Sequence, residues 1–443
     1  MSRSDSRNHE RQRKKRRLKK LMIINGILLA LILILAGTLY ASSYWPFGGG
    51  HVSDAPAPKQ HANGAGDEQA ANGSDGMDQG TGEQNAPAPQ DGSTEDNAGG
   101  AGATTDGAAA EQPEPEPAPA DEIRLAFVGD ILLAASVEAL MNKNGMAYPY
   151  EKALPFLQEP DLLAGNLENP ITTRGVPAED KQYVFKGSPS LLPSLKDAGF
   201  DVVSLANNHS MDQGVEGLLD TIAHLDEAGI PNMGAGKDAD AAFRPVVLEA
   251  QGFSVAYFGL SRVVPEVSWK AGVNKPGVAE TYDSTRAKAE IAAARDKHDL
   301  IVVYAHWGEE KSDYPRAYEK QLARDYIDAG ADLVVGAHPH VLQGFEQYKG
   351  KWIAYSLGNF IFNMTATERT KDTGVLDAVC SREGECKLQL HPMRVKQASQ
   401  PAPIEGEEAK RLLDWVESIS MGAVIDDQGY ITSASSEEKK VNE

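Results

Sequence analysis

The side chains best suited to chemistry cluster at the ends of apolar runs. Asp130 closes the run IRLAFVGD, Glu168 follows LLAGNL, and Asn207, Asn208 and His209 follow VVSLA. His306 follows LIVVYA, and His338 and His340 follow LVVGA with Pro339 between them. Carboxylate, amide and imidazole groups without thiolate suit a divalent ion such as Mn, Fe, Zn or Mg. Such an ion acidifies water and stabilises an oxyanion on phosphorus or carbon, which is hydrolytic chemistry.

Taken singly, each residue also has an ordinary structural role. A Gly-Asp after a strand often makes a turn or a helix cap. Glu168, ahead of Asn-Pro, could simply end a strand, and a lone histidine is commonly hydrogen-bonded in a packed interior. The joint placement points to metal. Of ten histidines, four lie at strand ends of this kind, while His9, His51 and His61 lie in polar segments and His224, His298 and His391 share no such context. Pro339 restricts φ between two imidazoles and holds them in register.

These residues require elements that bring them to one edge. The apolar runs named above, with PVVLEA, SVAYFGLS and WIAYSLGNF, read as buried strands. Between several of them lie helical patterns that stop at glycine: SPSLLPSLKDAG, VEGLLDTIAHLDEAG and YEKQLARDYIDAG. Alternating strands and helices predict an α/β fold, in which ligands gather outside the carboxyl ends of the strands. GFEQYKGKWIAYS and VLDAVCSREGECKLQLHPMRV read as hairpins, GEEAKRLLDWVESI as an amphipathic helix, and 425–443 as a C-terminal tail ending in a disordered Ser-Glu-Lys stretch.

The first 121 residues read differently. Residues 1–20 carry a basic block from Arg11 to Lys20, and Leu21 to Ala41 is an uncharged apolar stretch. About 20 such residues cross a ~30 Å hydrocarbon core. Basic residues before the span predict a cytoplasmic N-terminus and a single-pass anchor in the cell membrane. A cleaved signal peptide would have a shorter apolar core. Residues 42–121, rich in Gly, Ala, Pro and acidic or amide residues, read as a disordered tether of roughly 50 Å. The whole chain has a net charge of −21 despite its basic N-terminus, so the segment expected outside the cell is strongly acidic, which argues against nucleic acid as a partner. Cys380 and Cys386 could close a hairpin disulfide in an extracytoplasmic compartment or remain as free thiols. Neither lies near the strand-end cluster, which points away from thiolate catalysis.

In order, FVGDILL, AGNLENPIT, VSLANNHSMDQGVEGLLDT, AHWGEE, GAHPHVLQG and YSLGNFIF resemble the motif series of the CapA/PgsA family of capsule (poly-γ-glutamate) biosynthesis proteins. The resemblance spans about residues 123–395, within a folded domain expected over 122–424. It implies a fold similar to calcineurin-like metallophosphoesterases, a β-sandwich flanked by helices with a two-metal centre. It further implies Asp130 and His340 on the first metal, Glu168 as the bridging carboxylate, and Asn208, His306 and His338 on the second. His209 would be the proton donor, with Asn207, Glu309, Glu310 and Asn359 behind the ligands or facing substrate. Where those enzymes carry a histidine two residues after the first aspartate, this chain has Leu132. The family context implies the membrane and ligase subunits of a poly-γ-glutamate synthase as partners and a polyanionic polymer as cargo. Two other functions fit the residues: a metal-dependent envelope hydrolase acting on a phosphoester or amide, and a non-catalytic scaffold.

Overall fold

Alternation along β1 (Glu122–Ile131) sets the architecture. Ile123, Leu125 and Phe127 face one apolar cluster and Ala126 and Val128 face another, as a period-two strand buried on both faces must. The computed structural model describes residues 120–362, 367–397 and 399–434. The basic segment, the expected membrane anchor and the tether fall outside the described residues.

The chain continues with β2 (Leu162–Leu167), β3 (Val202–Ser204), β4 (Asn232–Met233), β5 (Ala235–Gly236), β6 (Val246–Ala250), β7 (Phe253–Ser261) and β8 (Gly277–Val278). Then come β9 (Leu300–His306), β10 (Leu333–Ala337), β11 (Phe345–Tyr348), β12 (Lys351–Ala354), β13 (Asn359–Ile361), β14 (Asp372–Ser381) and β15 (Cys386–Gln397). The last are β16 (Gln400–Pro403), β17 (Ala423–Ile425) and β18 (Tyr430–Ser433). Helices α1 (Ala135–Asn144), α2 (Leu154–Leu157), α3 (Leu192–Asp197) and α4 (Gly214–Glu227) fall between β1 and β4. Helix α5 (Ala239–Phe243) precedes β6, α6 (Thr285–Arg295) and α7 (Ala317–Asp328) flank β9, and α8 (Gly406–Ser418) follows β16.

One sheet runs β17-β18-β15-β14-β1-β2-β3-β4, with β13 also on β1; the other runs β11-β12-β10-β9-β7-β6. Strands β1 to β4 are parallel neighbours, as are β7, β9, β10 and β12. The sheets pack face to face: Leu125, Phe127 and Leu390 from one share a core with Val255, Tyr257, Val302 and Val335 from the other. The Tyr304 hydroxyl donates to the Val128 carbonyl across this interface. Helices cover the outer faces, with Val137, Leu195 and Leu218 on the first sheet and Ile291, Ala323 and Tyr326 on the second. The expected α/β architecture is present, and both hairpins form at the expected segments.

Two details depart from the sequence reading or resolve it. The fold does not end at 424, because β18 pairs with β15 and buries Ile431 beside Ile425. Two short strands of alternating residues, just ahead of a polar terminus, were hidden by its composition. Cys380 and Cys386 face each other across the β14–β15 hairpin and are joined as a disulfide.

At the start of helix α7, Glu319 reaches back to the N-cap and its Oε2 accepts the Arg316 N–H at 2.7 Å. Its Oε1 is buried without a hydrogen-bond partner, and burial pushes the carboxyl pKa up to about 7. A carboxyl with a folded pKa above its unfolded value favours the fold fully at pH below about 4.5 and loses that advantage as pH rises through about 7. Glu319→Gln should therefore match the native chain near pH 5 and exceed it by on the order of 1–2 kcal/mol at pH 8. Denaturant unfolding at both pH values checks this, and an equal difference at the two would contradict it.

Candidate metal centre

The strand ends that carry Asp130, Asn359 and His306 form two rows of register neighbours, one in each sheet. In the first sheet, Asn359 on β13, Asp130 on β1 and Asn166 on β2 are register neighbours. In the second, Ser261, His306 and Ala337 are register neighbours at the ends of β7, β9 and β10. A register shift in β1 between Phe127 and Asp130 turns the strand end, as β-bulges do. Gly129 makes the turn possible: a Cβ there would lie 1.9 Å from the Gly358 carbonyl oxygen, so any side chain would push β13 away from Asp130.

Two triads result. Asp130, Glu168 and His340 can bring ligand atoms within 4.8 Å of one another, as can Glu168, His306 and His338. Glu168 is common to both and wholly buried. Its Oε1 lies 3.7 Å from His306 Nε2 and 3.9 Å from His340 Nε2, and among the described residues neither of its oxygens has a hydrogen-bond partner. Burial, reinforced by the nearby Asp130 charge, raises the Glu168 pKa well above the carboxylate range. His338 Nδ1 is likewise buried and unpartnered. Burial first, then neighbouring His340, lowers its pKa to about 3, and His306 is pushed well below its ordinary value for similar reasons. Neutral imidazoles around an unmet carboxylate are what a divalent cation requires, so the residues fit the metal.

Hydrogen bonds behind these groups set their orientation. His340 Nδ1 lies 2.8 Å from Asn359 Oδ1 and 3.1 Å from Asp130 Oδ2, which turns Nε2 toward Glu168. Burial is the largest single effect and works against charge on His340, but the hydrogen bond and charge of Asp130, with Glu310 and Asn359, together outweigh it and raise the pKa. Asn166 Nδ2 donates to Asp130 Oδ1 at 2.8 Å, and Asn207 Nδ2 donates to Asn166 Oδ1 at 3.0 Å. Asn208 Oδ1 lies 2.8 Å from His306 Nε2, beside the second triad. His338 and His340 have φ of 97° and 58°. A non-glycine residue held there costs on the order of 1–3 kcal/mol, so the surrounding structure must maintain both.

His209 lies against this cluster with Nδ1 2.7 Å from Asp212 Oδ2. Burial lowers its pKa and Asp212 partly opposes that. Lys181 donates to Asp212 and to the Asn208 carbonyl, and its Nζ lies 2.9 Å from His209 Nδ1. Its own pKa is lowered by burial, with Asp212 opposing.

The structure thus gathers Asp130, Glu168, Asn207, Asn208, His209, His306, His338, His340 and Asn359. Glu310 is exposed but close enough for its charge to act on Glu168 and His340. Glu309 turns to solvent and pairs with Arg316, so it is not among the gathered groups. Leu132, two residues after Asp130, packs with Ala134, Phe185 and Phe362 in an apolar patch and offers no ligand atom. Sequence reasoning passed over Asn166, Asp212 and Lys181. Asn166 was legible in principle, two residues before Glu168 on a period-two strand. Lys181 lies in a loop with no pattern to betray it.

The family model for the bacterial capsule synthesis protein PGA_cap matches residues 124–364. A PGA biosynthesis protein CapA of Bacillus subtilis is 34% identical over 304 residues, 68% of this chain and 79% of its own length. A capsule biosynthesis protein CapA of Bacillus anthracis is 33% identical over 64% of this chain and 70% of its own. A probable polyglutamine synthesis accessory protein of Mycobacterium tuberculosis is 33% identical over 48% of this chain and 59% of its own.

With Glu168 buried and its carboxyl unpartnered among the described residues, ion binding and stability should be coupled. Mn or Zn at a hundred times its dissociation constant should raise native stability by roughly 2.7 kcal/mol. Glu168→Gln should lose that gain yet be more stable than the native chain without ion. Unfolding of the native chain that ignores Mn, Fe, Zn and Mg alike would remove the metal from this site.

Proposed function

The chain belongs to the bacterial capsule synthesis protein PGA_cap family, and we propose that it is a membrane-anchored extracytoplasmic component of capsule or poly-γ-glutamate biosynthesis or export, working through a divalent metal centre. The observation that carries the proposal is the buried Glu168 carboxylate shared between two triads in a chain of this family. The names of the Bacillus relatives support the capsule context. The apolar run 21–41 after a basic block supports the anchor. The Cys380–Cys386 disulfide supports a compartment outside the cytoplasm. The layered sheets and helices are consistent with a metallophosphoesterase-like sandwich. The synthase's membrane and ligase subunits and the polymer itself are the partners this reading implies.

Asp130, Glu168 and His340 would hold one ion, and Glu168, Asn208, His306 and His338 a second. Bound there, divalent ions supply acidified water and positive charge against a developing oxyanion. The chain's own residues supply the rest. Asn359 and Asp130 fix the His340 ring, Asn166 and Asn207 steady Asp130, and burial keeps His306 and His338 neutral and able to donate lone pairs. Asp212, paired with His209 Nδ1, favours the doubly protonated ring, and the proton on Nε2 of that ring is the one that would pass to a departing group. That pair also favours a second reading, in which the centre cleaves a phosphoester or amide of the envelope without a capsule role.

Complementing a capsule-forming strain that lacks this chain separates the readings. Native chain should restore surface γ-linked glutamate, while Asp130→Asn and His209→Asn at equal protein level should yield at least about tenfold less, in line with loss of a general acid or a metal ligand. Full restoration by both variants would refute a metal-dependent role in the capsule. Turnover of an aryl phosphodiester that is lost in Asp130→Asn, with polymer unaffected, would establish the second reading instead.

A further inference from the structure

Beside the cluster stands a basic side chain without a counter-ion. Arg262 directly follows β7, and its backbone N–H donates to the His306 carbonyl at 2.8 Å. Its guanidinium carbon lies 4.0 Å from the Tyr282 ring centroid and 5.3 Å from that of Tyr318. The Tyr318 hydroxyl accepts the Gly308 N–H at 3.2 Å, two residues beyond His306. Backbone and stacking platform alike are therefore tied to the segment that carries a candidate ligand.

The contrast with neighbouring cations is chemical. Lys270 lies 4.5 Å from the same Tyr282 ring but is paired with Glu280 at 3.1 Å, and Lys181 is paired with Asp212. Among the described residues, no carboxylate forms an ion pair with Arg262; its Nη1 is buried with no hydrogen-bond acceptor, while the residue as a whole is half-buried and keeps part of its surface open. Both tyrosines retain exposed surface, so the platform opens to solvent. A guanidinium stacked through its face keeps its N–H edge free for acceptors in its plane, and a carboxylate matches that fork with two oxygens. One unneutralised cation suits a monoanion. In a chain of net charge −21, such a group is the means by which an acidic protein could hold an acidic ligand.

We propose that Arg262, stacked on Tyr282 and Tyr318, recognises a carboxylate of an acidic chain and positions that chain beside the metal centre. This rests on the polymer reading above and names the residue that would read the polymer's charge.

The test uses the full chain in detergent, loaded with Mn, and two probes: a short γ-linked glutamate oligomer and the same oligomer with its free carboxylates amidated. Calorimetry should show native chain preferring the acidic oligomer. Arg262→Met, which keeps the apolar stem, should bind it roughly tenfold to a hundredfold more weakly and lose the preference. Arg262→Lys should retain part of it. Arg411→Met, on α8 in a separate cavity with Trp415, should change nothing. Thermal unfolding and metal content, unchanged in the variants, exclude a folding defect. Native affinity for the acidic oligomer preserved in Arg262→Met, or a native chain indifferent to amidation, would overturn the role of Arg262 while leaving the polymer reading standing. A native chain that binds neither oligomer would overturn both.

Discussion

Glu168 is fully buried, both oxygens lack a donor, and Asp130 stands close enough to reinforce the rise in its pKa. A carboxylate taken from water into such surroundings must either keep a proton or meet positive charge, because the cost of an unpaired buried anion is several kcal/mol. No lysine or arginine forms an ion pair with it among the described residues. What surrounds it instead is imidazole, with His306 and His340 at 3.7 and 3.9 Å. The rest of the site follows from this unpartnered carboxyl. The packed sheets keep water out, and the asparagines behind the ligands hold them where a cation would satisfy the carboxylate.

Holding that arrangement is expensive locally and is sustained by the layers around it. His338 and His340 both adopt positive φ, and the β1 bulge at Gly129 brings β13 close enough to align Asn359 with Asp130. None of these conformations is favoured by its own short segment. The two-sheet core, bridged by Tyr304 to Val128, provides the rigidity that makes them persist. Stability is stored in the sandwich and spent at its edge, the usual division between scaffold and site.

Charge is distributed on two scales. Over the whole chain it is strongly negative, which opposes approach of an acidic polymer. Near the site, Lys181 lies beside His209 and Arg262 follows the strand next to His306, which places two cations close to the candidate ligands without altering the net figure.

Much of this was readable from sequence because it depends on local periodicity. Apolar runs ending in Asp130, Glu168, His306 and His338 identify strands with polar termini, and the carboxyl-edge rule for α/β folds assembles them without any knowledge of register. The hairpins and the helix 406–418 were legible for the same reason. Three-dimensional packing decided the remainder. That Asn166 rather than a more conspicuous residue steadies Asp130, that Glu309 turns away to Arg316 while Glu310 stays near, and that β18 extends the sheet beyond 424 all depend on which strands become neighbours. The stacking of Arg262 joins residues 20 and 56 positions apart in the chain, Tyr282 and Tyr318. Side-chain type and spacing are properties of a segment and survive in a one-dimensional reading. Contacts between distant segments are set by how the sheets pack, and no local pattern encodes them.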